Sequence, residues 1–484
     1  MKNSFCYFLF YILFICIFSF VINASQIINS NFNNITNISD SLKTIDIKKT
    51  TEINIYNENK IKLFQDLNNN KILQTKNSRM LSMLGCISML SIACLLSNNR
   101  KKISIKIIFT GLITQFIFAF FALKVEAGRN FFNIANNIIM KILAFSDRGS
   151  SILFGDLSKS NSYFAFKILP TIIFFSALTA VLYHLRILEF IIRCIAFIMQ
   201  KTLRTSGAES FSAAANIFIG QTEAPLLIRP FLKNMTDSEI MAIMTGGFAT
   251  VAGGIMAAYV VTLSDYFPNI AGHLLAASVM AAPGSLVMAK IILPETNKPE
   301  TLLSSNIVVK RDSNILDSAA KGTSDGLYLA LNIGAMLIAF LSLITLLNLI
   351  TSTTASWLGF DNLTLEKIFG YLFSPIAFVL GVAWEDSKII GSLFATKIII
   401  NELVAYIKLS EYLGNGTIMS AKSIIVSTYA LCGFANFTSI GIQIGGLSAL
   451  APNRRKDFAR LGFKAMIAGS LACFQTAAIV GVLL

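Results

Sequence analysis

Two carboxylates embedded in apolar sequence are the residues best placed to do chemistry. Glu223 stands beside Gln221 and Thr222 between hydrophobic runs, and Asn401-Glu402 interrupts the run I-I-I-N-E-L-V-A-Y. An unpaired charge inside a hydrocarbon layer costs at least a few kcal/mol, so each carboxylate must meet compensating partners or a polar ligand. Gly220 ahead of the first polar group and Pro225 behind it predict a backbone break there, where two half-helices meet and leave free peptide groups at the tip. Each carboxylate is followed by a Gly-punctuated segment, T-G-G-F-A-T-V-A-G-G at 245–254 and C-G-F-A-N-F-T-S-I-G at 432–441, so the chain reads as internally duplicated. A single interruption of this kind is compatible with a structural hydrogen bonder. Two at corresponding positions of two halves point to the binding site of a secondary transporter.

The elements that must position these groups are membrane spans. The 484 residues are 54% hydrophobic and only 14% charged, with mean hydropathy +0.66, and apolar stretches of about 20 residues recur, the length that crosses the hydrocarbon core. This composition predicts an all-α polytopic membrane protein. A net charge of +14 would indicate a nucleic-acid partner in a soluble chain, but here Lys and Arg gather in short loops beside apolar runs. The positive-inside rule accounts for that pattern and leaves no reason to expect nucleic acid. The seven cysteines form no C-x-x-C pair and read as buried apolar filler, while His184 and His273 stand too far apart in sequence to mark a metal or catalytic centre.

Residues 1–24 read as a signal peptide or signal anchor, and 25–79 as an exported low-complexity tail whose sequons at Asn34 and Asn37 carry no weight by themselves. A first core helix is expected at 81–96, ending in N-N-R-K-K on the cytoplasmic side, and a second at 105–123, followed by a polar amphipathic stretch to 161. Residues 164–184 cross inward to Arg186, Arg193, Lys201 and Arg204, so the Glu223 hairpin is entered from the cytoplasm. Further spans are expected at 238–263, 271–292 and 326–350, with Lys298, Lys310, Arg311 and Lys321 in a cytoplasmic loop. The Glu402 hairpin is then entered from outside, 421–449 returns to P-N-R-R-K, and 458–482 ends outside. Charge and periodicity thus predict an inverted repeat.

Residues 80–484 resemble the concentrative nucleoside transporter family, most densely in K-I-L-P-T-I-I-F-F-S-A-L, T-S-G-A-E-S-F-S-A-A-A-N-I-F-I-G-Q-T-E-A-P-L-L-I-R-P, M-T-G-G-F-A-T-V-A-G, I-I-I-N-E-L-V-A-Y and Y-A-L-C-G-F-A-N-F-T-S-I-G. The resemblance implies eight core transmembrane helices with two re-entrant helical hairpins per protomer, a homotrimer, and a plasma (inner) membrane location. It divides the chain into mostly scaffold helices at 80–204, the first hairpin with two following helices at 205–293, a cytoplasmic linker and scaffold helix at 294–360, and the second hairpin with two following helices at 361–484. It implies nucleobase contacts from Gln221, Thr222, Glu223 and Ile255, and ribose contacts from Glu402, Phe434, Asn436 and Ser439. An ionised carboxylate accepts hydrogen bonds from two hydroxyls, which suits ribose.

The coupling ion implied is sodium, held by side-chain oxygens of Asn216 and Thr250 and backbone carbonyls of Ile219 and Val251, with no further cofactor. Neutral oxygens freed at a helix break suit a hard cation. One departure is Gly254, where many relatives carry Ser, which leaves purine and pyrimidine preference open. Two other readings stand beside this one. A proton-coupled nucleoside symporter would load Glu223 or Glu402, and an intramembrane enzyme would need a nucleophile with a base, or a metal, that the apolar segments do not supply.

Overall fold

The computed structural model describes residues 76–158, 164–301, 312–357, 364–417 and 419–484, and every longer regular element among them is an α-helix. The expected signal segment 1–24 and all but the last four residues of the expected tail lie outside the described residues. In chain order the helices are α1 (Lys76–Leu95), α2 (Ile105–Lys124), α3 (Glu126–Phe154), α4 (Phe164–His184), α5 (Ile187–Leu203), α6 (Gly207–Ala215), α7 (Arg229–Leu232), α8 (Asp237–Ala249), α9 (Gly253–Leu263), α10 (Ile270–Ile292), α11 (Ile315–Trp357), α12 (Leu365–Val379), α13 (Trp384–Ile399), α14 (Glu402–Gly414), α15 (Ala421–Leu431), α16 (Phe437–Leu450) and α17 (Arg455–Leu483).

Among the described residues seven spans are long and apolar enough to cross a bilayer: α1, α2, α4, α8 with α9, α10, α11, and α17 with its leading turn. The eighth core span is α15 with α16, which are too short singly but follow each other across a break at 432–436. The sharp 117° bend between α12 and α13 instead leads into the second hairpin, formed by α13 and α14. The first hairpin is α6, the turns at 216–228 and α7.

Hydrogen bonds at the two ends of the molecule establish the inversion. At one end Asn98 N donates to Ile292 O at 2.9 Å, Lys464 Nζ to Asn98 Oδ1 at 2.7 Å, and Arg454 Nη1 to Met235 O at 2.7 Å. The N-N-R-K-K and P-N-R-R-K clusters therefore share the face from which the first hairpin enters. At the other end Ser420 N donates to Asp386 Oδ2 at 3.0 Å, Ser410 Oγ to Thr262 O at 2.9 Å, and Lys422 Nζ to Ser78 Oγ at 2.7 Å. The base of the second hairpin thus sits with the start of α1 and the end of α9.

Several boundaries differ from expectation for physical reasons. Helix α1 starts at Lys76 rather than Leu81, because the Lys422 to Ser78 hydrogen bond gives its polar first turn a partner. The stretch after α2 is one 29-residue helix, α3, which ends at Gly155 in a positive-φ conformation. The charged segment after α4 is a helix of its own, α5, flanked by Arg186 and Arg204 in the left-handed region, with φ of 67° and 56°. Helix α11 runs 43 residues where 326–350 was expected, since hydropathy reveals only the apolar middle of a helix whose first turns carry Asp317, Lys321 and Asp325. Cys194, expected to be buried, is exposed, although Cys86, Cys432 and Cys473 are buried.

Small residues let the core helices approach closely. Gly469 of α17 faces Phe248, and Gly462 faces Ile440, so α8, α16 and α17 interlock. At the centre the two broken spans cross at their breaks, where Phe434 N donates to Thr250 O at 3.3 Å. Gly433, at φ 108°, makes that crossing possible: a Cβ there would lie 2.6 Å from Ala249 O. Only a residue without a side chain combines that dihedral with that approach.

Candidate substrate and ion site

The tip of the first hairpin is built by what its sequence denies the backbone. Helix α6 opens with a capping box, in which Ser206 Oγ accepts from Glu209 N and Glu209 reaches back to Ser206 N. It stops after nine residues, and Gly220 allows the Glu223 carboxylate to fold back over it, into the space a side chain would fill. Pro225 then starts a short 3-10 turn leading to α7. In the second hairpin α13 ends at Ile399, and Asn401 caps α14 by accepting from Val404 N at 2.9 Å. Glu402, the first residue of α14, is buried at the tip.

Both tips and both breaks open onto one cavity of ≈ 460 Å³, lined by Gln221, Thr222, Glu223, Ile255, Glu402, Phe434, Asn436 and Ser439 among others. All eight residues expected around a nucleoside thus meet, though Gln221 and Ser439 are separated by more than two hundred positions in sequence. The volume falls in the range of small-molecule sites, roughly 300–1,000 Å³. Glu402 is held from both sides: Tyr259 Oη donates to its Oε1 at 2.8 Å, and Asn436 Nδ2 to its Oε2 at 2.9 Å. Asn436 Oδ1 in turn accepts from Ser439 N at 2.8 Å, which caps α16. Gln443 Nε2 donates to Gln221 Oε1 at 3.0 Å and to Met244 O at 3.1 Å, joining the first tip to α8 and α16.

Tyr259, Gln443 and the far wall of the cavity are not among the residues expected from the sequence. That wall comes from α11, through Asp325, Tyr328, Asn332 and Met336. The signal was available: Asp325 and Asn332 are polar positions seven apart in a helical run, on one face. Gly254 does not line the cavity. A Cβ on it would face α4, at 3.5 Å from Ile172 O and 3.6 Å from Ser176 Oγ, so a side chain fits there.

The four expected cation ligands lie behind the first tip. Asn216 caps the end of α6 at 1% exposure, and neither its Oδ1 nor its Nδ2 finds a partner. Thr250 Oγ1 donates to Gly246 O at 2.8 Å, which leaves its lone pairs free to accept. Val251 is buried in the break, and Gly253 N donates to Phe218 O at 3.0 Å, tying the turn that carries Ile219 to the start of α9. An amide oxygen buried without a donor is costly unless something positive fills the gap. The residues present therefore fit a small hard cation.

Broken spans that cross at their breaks, with two oppositely inserted hairpins around one cavity of mixed polar and apolar lining, have the form of a multi-pass membrane transporter. Comparison with known proteins agrees. Family models described as Na+ dependent nucleoside transporter N-terminus, nucleoside recognition, and Na+ dependent nucleoside transporter C-terminus match residues 84–157, 165–266 and 273–481. The chain belongs to the concentrative, sodium-dependent nucleoside transporter family. It is 45% identical over 410 residues to an uncharacterized transporter of Haemophilus influenzae, covering 83% of this chain and 96% of that one. It is 38% identical over 419 residues to human solute carrier family 28 member 3, covering 84% of this chain and 60% of that one. Its fold is similar to CNTnw in an inward-facing substrate-bound state, with TM-score 0.78 and 41% identity over 84% of this chain and 97% of that one. A CNTnw variant in an outward-facing state matches with TM-score 0.80 and 40% identity over 84% of this chain and 98% of that one.

Proposed function

We propose that this protein imports nucleosides across the plasma membrane by sodium symport. The observation that carries the reading is the union, in one cavity, of the two acidic tips with the two helix breaks. Glu402, oriented by Tyr259 and Asn436, retains acceptor capacity on both oxygens for the ribose hydroxyls. Phe434 and Ser439 complete the ribose side, and Gln221, Thr222, Glu223 and Ile255 take the base. Sodium binds Asn216 and Thr250 through side-chain oxygens and Ile219 and Val251 through carbonyls; the unpartnered Asn216 amide supports this assignment.

In this reading 205–293 and 361–484 form the moving transport domain, while 80–204 and 294–360 are mainly scaffold. Helix α11 supplies the stationary wall of the cavity and exposes an apolar face, including Leu331, Ile338 and Leu349. That face suits lipid or the neighbouring protomers of a homotrimer. The test is uptake of labelled uridine and adenosine into proteoliposomes, with sodium gradient, pH and voltage set independently. Uptake that follows the sodium gradient supports the proposal. Uptake that follows a proton gradient and ignores sodium replaces it with proton coupling.

A further inference from the structure

The two repeats treat their helix breaks differently, and the difference is a charge. In the first repeat the first half of the hairpin ends on a buried, unpartnered amide, Asn216, which stands seven residues ahead of the tip carboxylate Glu223 and lies beside Gly246 in the last turn of α8, just before the break. In the second repeat the equivalent break, between α15 and α16, is faced from the first half of its own hairpin by Lys397, five residues ahead of Glu402. Lys397 has 0% exposure. Its Nζ donates to Ala430 O at 2.8 Å and to Cys432 O at 3.4 Å, the carbonyls released where α15 ends. The ammonium also lies 5.9 Å from the centre of the Phe474 ring. Cys473 Sγ donates to the same Cys432 O at 2.7 Å, which fixes that carbonyl.

A buried ammonium on carbonyls at a helix break has the ligand type and charge of a bound alkali cation. The C-terminal end of a half-helix favours positive charge, whether it is an ion or a side chain. Glu402, at the substrate cavity, is in electrostatic contact with Lys397. The lysine therefore holds the second break together and supplies a positive field under the tip that faces the substrate.

We infer that Lys397 is the resident cation of the second repeat: its ammonium fills the position, related by the internal duplication, that sodium takes in the first, and so excludes a second sodium there. Lys397 is a positioning residue. This inference rests on the sodium reading above. It has a consequence for coupling that a purely structural lysine lacks. The ammonium moves with the transport domain in both directions and carries no net charge across, whereas a sodium ion in its place would be released and would add one charge to each cycle.

The experiment is Lys397→Gln in the full-length protein, which removes the ammonium and leaves an amide oxygen beside the carbonyls. The variant is expected to show a steeper sodium dependence of uptake than wild type, its Hill coefficient rising by up to one. Charge moved per nucleoside under voltage clamp is expected to rise by one. A variant that transports with the wild-type slope and wild-type charge ratio overturns the inference. If the variant does not assemble, wild type decides the matter through thallium, a heavy alkali-like cation, located in density maps. Thallium beside Asn216 and Thr250 and absent from Ala430 O and Cys432 O supports the inference; thallium on Ala430 O or Cys432 O overturns it. Wild-type uptake indifferent to sodium would instead refute the sodium reading itself, a result distinct from sodium-dependent uptake with an unchanged variant.

Discussion

Tyr259 Oη donates to Glu402 Oε1 across 2.8 Å, and both groups are buried. The tyrosine belongs to the broken span of the first repeat and the glutamate to the hairpin of the second, so one hydrogen bond joins the two halves at the cavity. Its ring also lies against Tyr406 at 4.5 Å between centroids, which fixes the hydroxyl's direction.

Replacing Tyr259 by Phe keeps the packing and removes that donor. A hydrogen bond to a charged group is worth about 1.5–3 kcal/mol. Because Glu402 is then oriented by Asn436 alone, the KM for nucleoside uptake should rise about tenfold with protein yield unchanged. Uptake kinetics in proteoliposomes check this, and an unaltered KM would remove Tyr259 from the site.

Glu402→Gln should largely abolish transport while the protein still assembles. The amide presents one acceptor oxygen where the carboxylate presents two, and its NH2 group turns a donor toward Asn436 Nδ2 or Tyr259 Oη, which are already donors. The measurement is nucleoside uptake alongside size-exclusion chromatography. Wild-type uptake in this variant is the outcome that would sink the assignment.

Asn216→Leu and Thr250→Val each delete one expected sodium ligand without opening a large cavity. Asn216→Leu also removes two unpartnered buried polar atoms, so folding should survive and thermal stability should hold or increase. The sodium concentration for half-maximal uptake should rise in both. Nucleoside affinity should fall with it, because the ion orders the tip that presents Gln221, Thr222 and Glu223, and two ligands sharing one ordered element are reciprocally coupled. Sodium titrations at fixed nucleoside decide the point.

Gly433→Ala tests the crossing of the two breaks. The added methyl would meet Ala249 O at 2.6 Å and Cys473 Sγ at 2.7 Å on a backbone already at φ 108°. Overpacking of this kind costs about 1–3 kcal/mol before the dihedral strain is added. Detergent-solubilised protein should unfold at a clearly lower temperature than wild type, and equal thermal stability would contradict the geometry.

Single cysteines at Asn99 and Asn453 should escape an impermeant thiol reagent on intact cells, since both loops share the face of the first hairpin's base. Labelling of both from outside would invert the topology, and labelling of only one would contradict the inverted repeat.

The sequence by itself determined the spans, the inversion and the identity of the tips. Hydropathy and charge are properties of contiguous segments, so a run such as 271–292, or a cluster such as Arg454-Arg455-Lys456, is legible wherever it falls. Gly220, Pro225 and Asn401 announced their breaks for the same reason, because the restriction each imposes is local. Resemblance then carried the eight cavity residues and the four expected cation ligands onto numbered positions. Only the tertiary structure decided which partners those residues meet. Tyr259, Gln443, Lys397 and the α11 face sit in apolar helical runs where a single polar residue has many explanations, and their roles arise from contacts between segments far apart in the chain. The bend between α12 and α13 escaped because the two helices together have the hydropathy of a single span, and helix α5 because a charged amphipathic segment lacks the unbroken hydropathy that marks one. A buried hydrogen bond such as Tyr259 to Glu402 depends on direction and distance between two helices, and that geometry exists only once the chain has folded.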